Sequence, residues 1–367
     1  MITRLTAQIV KEILSYLRDP KSRMVLIGPP LVQLMVFSFA VTLEVDNVRV
    51  AVLDQDGGRW SHEFVQRLDA AGFVREILYV ERPDDIVELI DRRKVLAALR
   101  FPADFSRDVA AQRPAAAQVI LDGRRANSSQ VALGYLNQIA GDIGIALARA
   151  RGTEPPEIVV RHWFNPNLIY QWFVVPSLSG TLAMLIALLV TSLSIARERE
   201  LGTFDQLLVS PARPIEIIIG KTVPALVIGT VLASVMISAG VFVFSIPFTG
   251  SVALLLGGVM LFILSVVGIG LTVSSVSRTQ QQAILGTFSA AVPLVLLSGF
   301  VTPVENMPGW LQIIAQANPL THYLIIVRSS FLKGGPPADI LAAAWPMAVI
   351  ALVTLSAAIV IVKRNLE

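Results

Sequence analysis

Six stretches of this chain contain no Asp, Glu, Lys, Arg or His: Met24–Leu43, Phe173–Ala196, Thr222–Ser245, Val252–Val276, Ile284–Thr302 and Ile340–Val362. Nothing in the sequence restricts the fold more. A helix rises ~1.5 Å per residue, so about 20 apolar residues cross the ~30 Å hydrocarbon core of a bilayer. Inside that core each backbone N–H and C=O must find its partner within the protein, which favours helices. Composition points the same way. Only 16% of the residues are charged and 54% are hydrophobic, against ~25% charged in an ordinary soluble domain. There is no cysteine, which excludes a disulfide framework, a thiolate nucleophile and a Cys-based metal site. The fold class expected is an α-helical membrane protein with six transmembrane helices and an extracytoplasmic α/β domain between the first and second.

Residues 1–23 form a basic amphipathic lead. Leu5, Ile9, Ile13 and Leu17 recur every four residues, and Arg4, Lys11 and Arg18 take the polar side. That pattern suits a helix lying in the cytoplasmic interface, ended by Asp19-Pro20. The first span, 24–43, holds Gly28-Pro29-Pro30, where a break or kink is expected. A secretory signal peptide is the rival reading, because Ser38-Phe39-Ala40 looks like a cleavage site. The apolar run is longer than the ~7–15 residues of a signal core, which argues against it.

Residues 44–172 have a different character. Strand patterns at Val48–Asp54, Phe73–Val80, Val95–Phe101 and Ala117–Asp122 alternate with helical ones at Ser61–Ala71, Asp84–Arg93 and Ser128–Arg149. This order predicts a compact α/β domain, followed by a linker at Gly152-Thr153-Glu154-Pro155-Pro156.

Orientation follows from basic residues in the short segments. The face holding both termini and the 197–221 loop carries Arg4, Lys11, Arg18, Lys21, Arg23, Arg197, Arg199, Arg213, Lys221, Arg278, Lys363 and Arg364. The opposite face, over 246–251 and 303–339, carries Arg328 and Lys333. Both termini are therefore expected in the cytoplasm and the 44–172 domain outside. Basic residues placed beside apolar runs point to membrane topology and contact with lipid rather than to nucleic acid. Residues 303–337 contain two apolar helical pieces too short to span, bounded by Pro303, Pro308, Pro319 and Gly334-Gly335-Pro336-Pro337. They read as an outer hairpin, either re-entrant or interfacial.

Catalytic constellations do not assemble. His62, His162 and His322 stand alone, and His62-Glu63 lacks the second histidine of a zinc-protease helix. Gly220-Lys221-Thr222 resembles the end of a phosphate-binding loop, but the required earlier glycine is Ile215. Lys221 is better read as a cytoplasmic anchor of the third span. Spans without ionisable residues argue against ion-driven transport and against a membrane-embedded hydrolase. Energy should then enter from elsewhere.

The stretch Arg197-Glu198-Arg199-Glu200-Leu201-Gly202-Thr203-Phe204-Asp205-Gln206-Leu207-Leu208-Val209-Ser210-Pro211 fits that need. Thr203 and Gln206 form a capping-box pattern. Phe204, Leu207 and Leu208 share one helical face, and Ser210-Pro211 stops the helix.

This stretch resembles the loop between the second and third spans of the membrane subunits of ABC type-2 transporters. Leu297-Ser298-Gly299-Phe300-Val301-Thr302-Pro303-Val304-Glu305-Asn306-Met307-Pro308-Gly309-Trp310-Leu311 and Ala317-Asn318-Pro319-Leu320-Thr321 are similar to that family's fifth span and outer hairpin. One departure is Asp205, where Glu is expected; the charge is kept.

The resemblance implies a permease subunit of a bacterial exporter in the inner (plasma) membrane, paired with a second copy or a close paralogue. Each copy would dock a separate cytoplasmic ABC ATPase through a coupling helix at 197–211. Arg197, Glu198, Arg199, Glu200, Gly202, Thr203, Phe204, Asp205, Gln206, Leu207, Leu208, Ser210 and Pro211 are its coupling candidates. ATP and Mg would sit on the partner ATPase, with no cofactor in this chain. A periplasmic adaptor is a further partner the outer domain could dock. A membrane-anchored sensor or assembly protein with a ligand-binding outer domain is the alternative.

Overall fold

The computed structural model describes residues 2–18, 20–40, 45, 47–152, 163–203 and 214–366. In chain order these form α1 (Ile2–Arg18), α2 (Pro20–Ala40), β1 (Val48–Asp54), α3 (Arg59–Asp69), β2 (Val74–Tyr79), α4 (Pro83–Asp91), β3 (Ala97–Phe101), α5 (Phe105–Ala110), β4 (Gln118–Leu121) and α6 (Ala126–Ala150). There follow α7 (Gln171–Glu200), α8 (Pro214–Phe242), α9 (Val252–Val276), α10 (Gln280–Leu296), α11 (Gly309–Gln316), α12 (Pro319–Arg328) and α13 (Pro337–Leu366). They divide into two compact units, Met1–Val41 with His162–Glu367, and Thr42–Arg161.

The second unit is an α/β domain. Its sheet runs β2-β1-β3-β4, with β1 parallel to β2 and β3, and β4 antiparallel to β3. Successive side chains of a strand point to opposite faces, and here both faces of β1 are covered. Val50 and Val52 join Phe64, Val65 and Leu68 of α3 and Ala132, Leu136 and Ile143 of α6. Ala51 and Leu53 turn the other way, onto Ile86 of α4. That explains a nearly unbroken apolar strand. The short helix α5 was not anticipated. It is placed by Ser106, whose hydroxyl and N–H both donate to the Asp56 carboxylate.

Two carboxyl groups here are held below the ordinary aspartate range. Burial pushes Asp56 up, but the hydrogen bonds from Ser106, Gly58 and Ser61 outweigh it. At Asp122 the leading cause is the hydrogen-bonded Arg124 guanidinium. A depressed folded-state value gives stability that is present above the unfolded value near ~3.9 and lost as pH falls through the folded one. The α/β unit should therefore weaken below about pH 4. Asp56→Asn should flatten that acid limb. Trp60 fluorescence in urea, with the other tryptophans replaced by Phe, reads it.

The first unit is helical. Among the described residues of the whole chain, five helices are long and apolar enough to cross a membrane: Ser128–Ala150, Gln171–Glu200, Ile215–Phe242, Val252–Val276 and Pro337–Arg364. One of these is α6, which belongs to the α/β domain and buries Ala132, Leu136 and Ile143 in the sheet core. The expected fifth span appears as a shorter helix, and the expected first span as α2, described to Ala40. In α2 the apolar part is Ile27–Phe39, and the helix runs on through Pro29 and Pro30, so the break or kink expected there is not a break. Helix α10 has 17 residues and ends at Leu296, because the chain turns at Gly299 with φ +82°. The second span is longer than its apolar run, so Arg197–Glu200 form the last turn of α7 rather than part of the loop.

Helix α9 lies at the centre, against α7 and α13. Small hydroxyl side chains tie the bundle together, as in membrane helices generally. The Ser265 hydroxyl donates to the Met347 carbonyl at 2.8 Å, and Ser274 Oγ accepts from the N–H groups of Ile195 and Ala196.

The segment expected as a hairpin, 303–337, is two different things. Helix α11 leaves Trp310, Ile313 and Ile314 exposed, while α12 buries Leu320, Tyr323, Leu324, Ile326 and Val327. Asn318 starts α12: its side-chain oxygen accepts from Leu320 N–H, and its amide donates to the Leu294 carbonyl. Tyr323 stacks on Phe262 at 4.4 Å and lies over Gly180 of α7, where no side chain would fit. Arg328 closes the end. It donates to Ser177 Oγ at 3.1 Å and the Gly299 carbonyl at 3.3 Å, and sits 4.2 Å over the Phe173 ring.

Candidate coupling site

The loop joining α7 to α8 begins with a helix terminator. The Gly202 N–H donates to the Arg199 carbonyl at 3.1 Å and the Thr203 N–H to the Glu198 carbonyl at 3.0 Å. Gly202 has φ +70°. These are the two bonds of a Schellman cap, which needs a left-handed residue at this point. The hydroxyl of Thr203 also donates to the Glu198 carbonyl, so on the described side it belongs to the end of α7. Its expected capping-box partner Gln206 lies outside the described residues, as do Phe204, Asp205, Leu207, Leu208, Ser210 and Pro211. A side chain at the Gly202 position would add about 1–2 kcal/mol of strain. Gly202→Ala should raise amide exchange of Gly202 and Thr203 several-fold, and Gly202→Asn should raise it less.

The charges before this cap are tied within the molecule. Arg199 donates to the carbonyls of Ser275 (2.7 Å) and Ser277 (3.1 Å) at the end of α9. Glu200 accepts from the Gln280 N–H that opens α10, at 2.7 Å. Glu198 turns inward. Its Oε2 is 2.8 Å from Lys221 Nζ, a close ion pair at an angle outside hydrogen-bond geometry. Lys221 also donates to Glu12 Oε1 at 3.2 Å and Ser194 Oγ at 3.0 Å. Its side chain is fully buried. Lys11 of α1 approaches Glu198 from the solvent side at 3.7 Å, and the Tyr16 hydroxyl donates to the Val190 carbonyl.

The ends of α1, α7 and α8 thus meet on one buried cluster. Arg197 lines the groove of about 490 Å³ beside it.

This corrects the expectation for Lys221. It is not a surface anchor, because α8 starts at Pro214 and carries it two turns into the helix. Nor is its ammonium free for a phosphate. The sequence held the signals. Glu12 shares the buried face of α1 with Ile9, Ile13 and Tyr16, which is a costly place for an acid without a partner. Pro214 is an ordinary first residue for a helix. The histidines have local roles: the His62 ring donates to the Gly58 carbonyl and the His322 ring to the Gln316 carbonyl. His162 lies outside the described residues.

Known proteins are similar to this chain along most of its length. The family model described as ABC-2 family transporter protein matches residues 23–360. The chain belongs to the ABC-2 transporter family. It is 44% identical over 366 residues to the probable multidrug ABC transporter permease YbhR of Escherichia coli (strain K12), covering 100% of both chains. It is 30% identical over 318 residues to the inner membrane transport permease YhhJ of the same strain, covering 82% of this chain and 83% of the other. A third relative from that strain, the probable multidrug ABC transporter permease YbhS, is 28% identical over 339 residues, or 91% and 90% of the two chains. As an ABC-2 permease this is a multi-pass membrane transport subunit, and ABC permeases work with ATPase subunits.

Proposed function

We propose that this permease exports its cargo from the cytoplasm, driven by ATP hydrolysed on a separate ABC ATPase that docks at the α7–α8 loop. The chain itself holds no cofactor on this reading. The observation that carries it is the buried cluster of Glu12, Glu198 and Lys221, which fixes both ends of that loop to α1. A simple connector needs no such foundation. Phe204, Leu207 and Leu208 supply the apolar knob, since well-desolvated aromatic and aliphatic anchors carry most of an interface's energy. Gly202 and Thr203 set where the knob starts.

The distribution of basic residues supports cytoplasmic termini and an α/β domain on the outer side of a bacterial inner membrane. Six crossings then comprise α2, α7, α8, α9, α10 and α13. A second copy or close paralogue completes the pathway, and the outer domain is available to a periplasmic adaptor. The names of YbhR and YbhS as probable multidrug permeases favour a drug-like, apolar or amphipathic cargo.

The test is co-expression with a candidate ABC ATPase. Phe204→Asp should cut cargo-stimulated ATPase activity at least ~30-fold, the effect of losing about 2 kcal/mol of docking energy. Protein level and melting should stay unchanged. Full coupling in that variant removes the loop from the mechanism.

A further inference from the structure

The α/β domain has a cavity that plays no part in coupling. A groove of about 560 Å³ opens between α5, β4 and α6, within the ~300–1,000 Å³ range of small-molecule pockets. Its floor is Leu99, Leu136 and Ile143, residues of the sheet core itself.

One end of the groove is cationic. Arg113 donates through Nε and Nη2 to Asp108 Oδ1, at 3.1 and 2.6 Å. Arg151 donates through Nη2 to the Val109 carbonyl, at 2.7 Å. Both guanidiniums are therefore anchored on the last turn of α5, and both line the groove. Each guanidinium has five N–H donors, and among the described residues these bonds leave several unused. Asp108 offsets one of the two charges, so this end carries one net positive charge. Among the described residues, none that lines the groove is acidic. A long apolar trough with a single cationic end complements one chemistry.

We propose that this groove binds a single-chain anionic amphiphile. Its hydrocarbon lies over Leu99, Leu136 and Ile143, and its carboxylate pairs with Arg113 and Arg151. A guanidinium fork suits a carboxylate, because the two present matching planar pairs of donors and acceptors. A cationic or neutral molecule of the same length gains nothing from that end.

The test uses the full chain in a neutral maltoside detergent and a dodecanoic acid carrying a terminal diazirine. Photolysis should label peptides covering 99–119 and 136–151. Ala140→Trp, on the exposed rim, fills the trough, and the pair Arg113→Gln with Arg151→Gln removes the cationic end. Each should lower labelling at least fivefold, and the matching dodecanol probe should label at least fivefold less than the acid. Equal labelling by the alcohol, unchanged labelling in both variants, or labelling confined to the membrane helices overturns the proposal. So does equal labelling by a photoreactive two-chain phosphatidylglycerol in nanodiscs, which would make the groove a lipid contact.

Discussion

Lys221→Met destabilises the protein by about 3–5 kcal/mol, the cost of leaving a buried partner charge uncompensated. Here two are left. Glu12 and Glu198 are both buried and face the same ammonium. Without it they repel one another, and Lys11 reaches only Glu198, at 3.7 Å. The melting midpoint in detergent should fall sharply, and α1 should become accessible to protease. The triple variant Glu12→Gln, Glu198→Gln, Lys221→Met should recover most of the lost stability, because buried ion clusters are often replaceable by neutral groups of similar volume. ATPase coupling in that stable triple variant then separates two roles. Retained coupling means the cluster is only a fastening, and lost coupling means its charges take part in transmission. A Lys221→Met protein that melts like the parent contradicts the buried geometry.

The second large effect is expected at Gly180. A Cβ there would stand 2.5 Å from Tyr323 Cδ1 and closer still to Cε1. The ring cannot easily give way, since it is fully buried and stacked on Phe262. Gly180→Ala should cost about 3 kcal/mol, the upper part of the usual range for overpacking. Combining it with Tyr323→Leu should restore a good part of that loss. If the double variant is no better than the sum of the singles, α12 does not seat on α7 in the way described.

Much of the fold was legible because apolar patterning is a direct consequence of burial. Helix α9 begins and ends where its charge-free run does, at Val252 and Val276, and β1 likewise occupies Val48–Asp54. What was not legible shares one cause. Charge was read as a mark of exposure, yet Glu198, Glu216 and Lys221 are buried. Helix ends drawn at the first charge were therefore placed too early in α7 and too late in α8. The pairing of Glu12 with Lys221 spans 209 positions, and no local period records it. The same holds for Asn318, whose cap on α12 is local and readable but whose bond to the Leu294 carbonyl is not.

Helix α7 carries the Glu198 cluster near one end and the Ser177–Arg328 and Gly180–Tyr323 seats near the other. Between Ser177 and Glu198 it is unbroken by proline, a rod of about 32 Å at 1.5 Å per residue. A rod gripped at both ends by packed, hydrogen-bonded contacts conveys rotation without needing to bend. A displacement applied at the Glu198 end would therefore be felt at the hairpin seat about 32 Å away, as in a crankshaft.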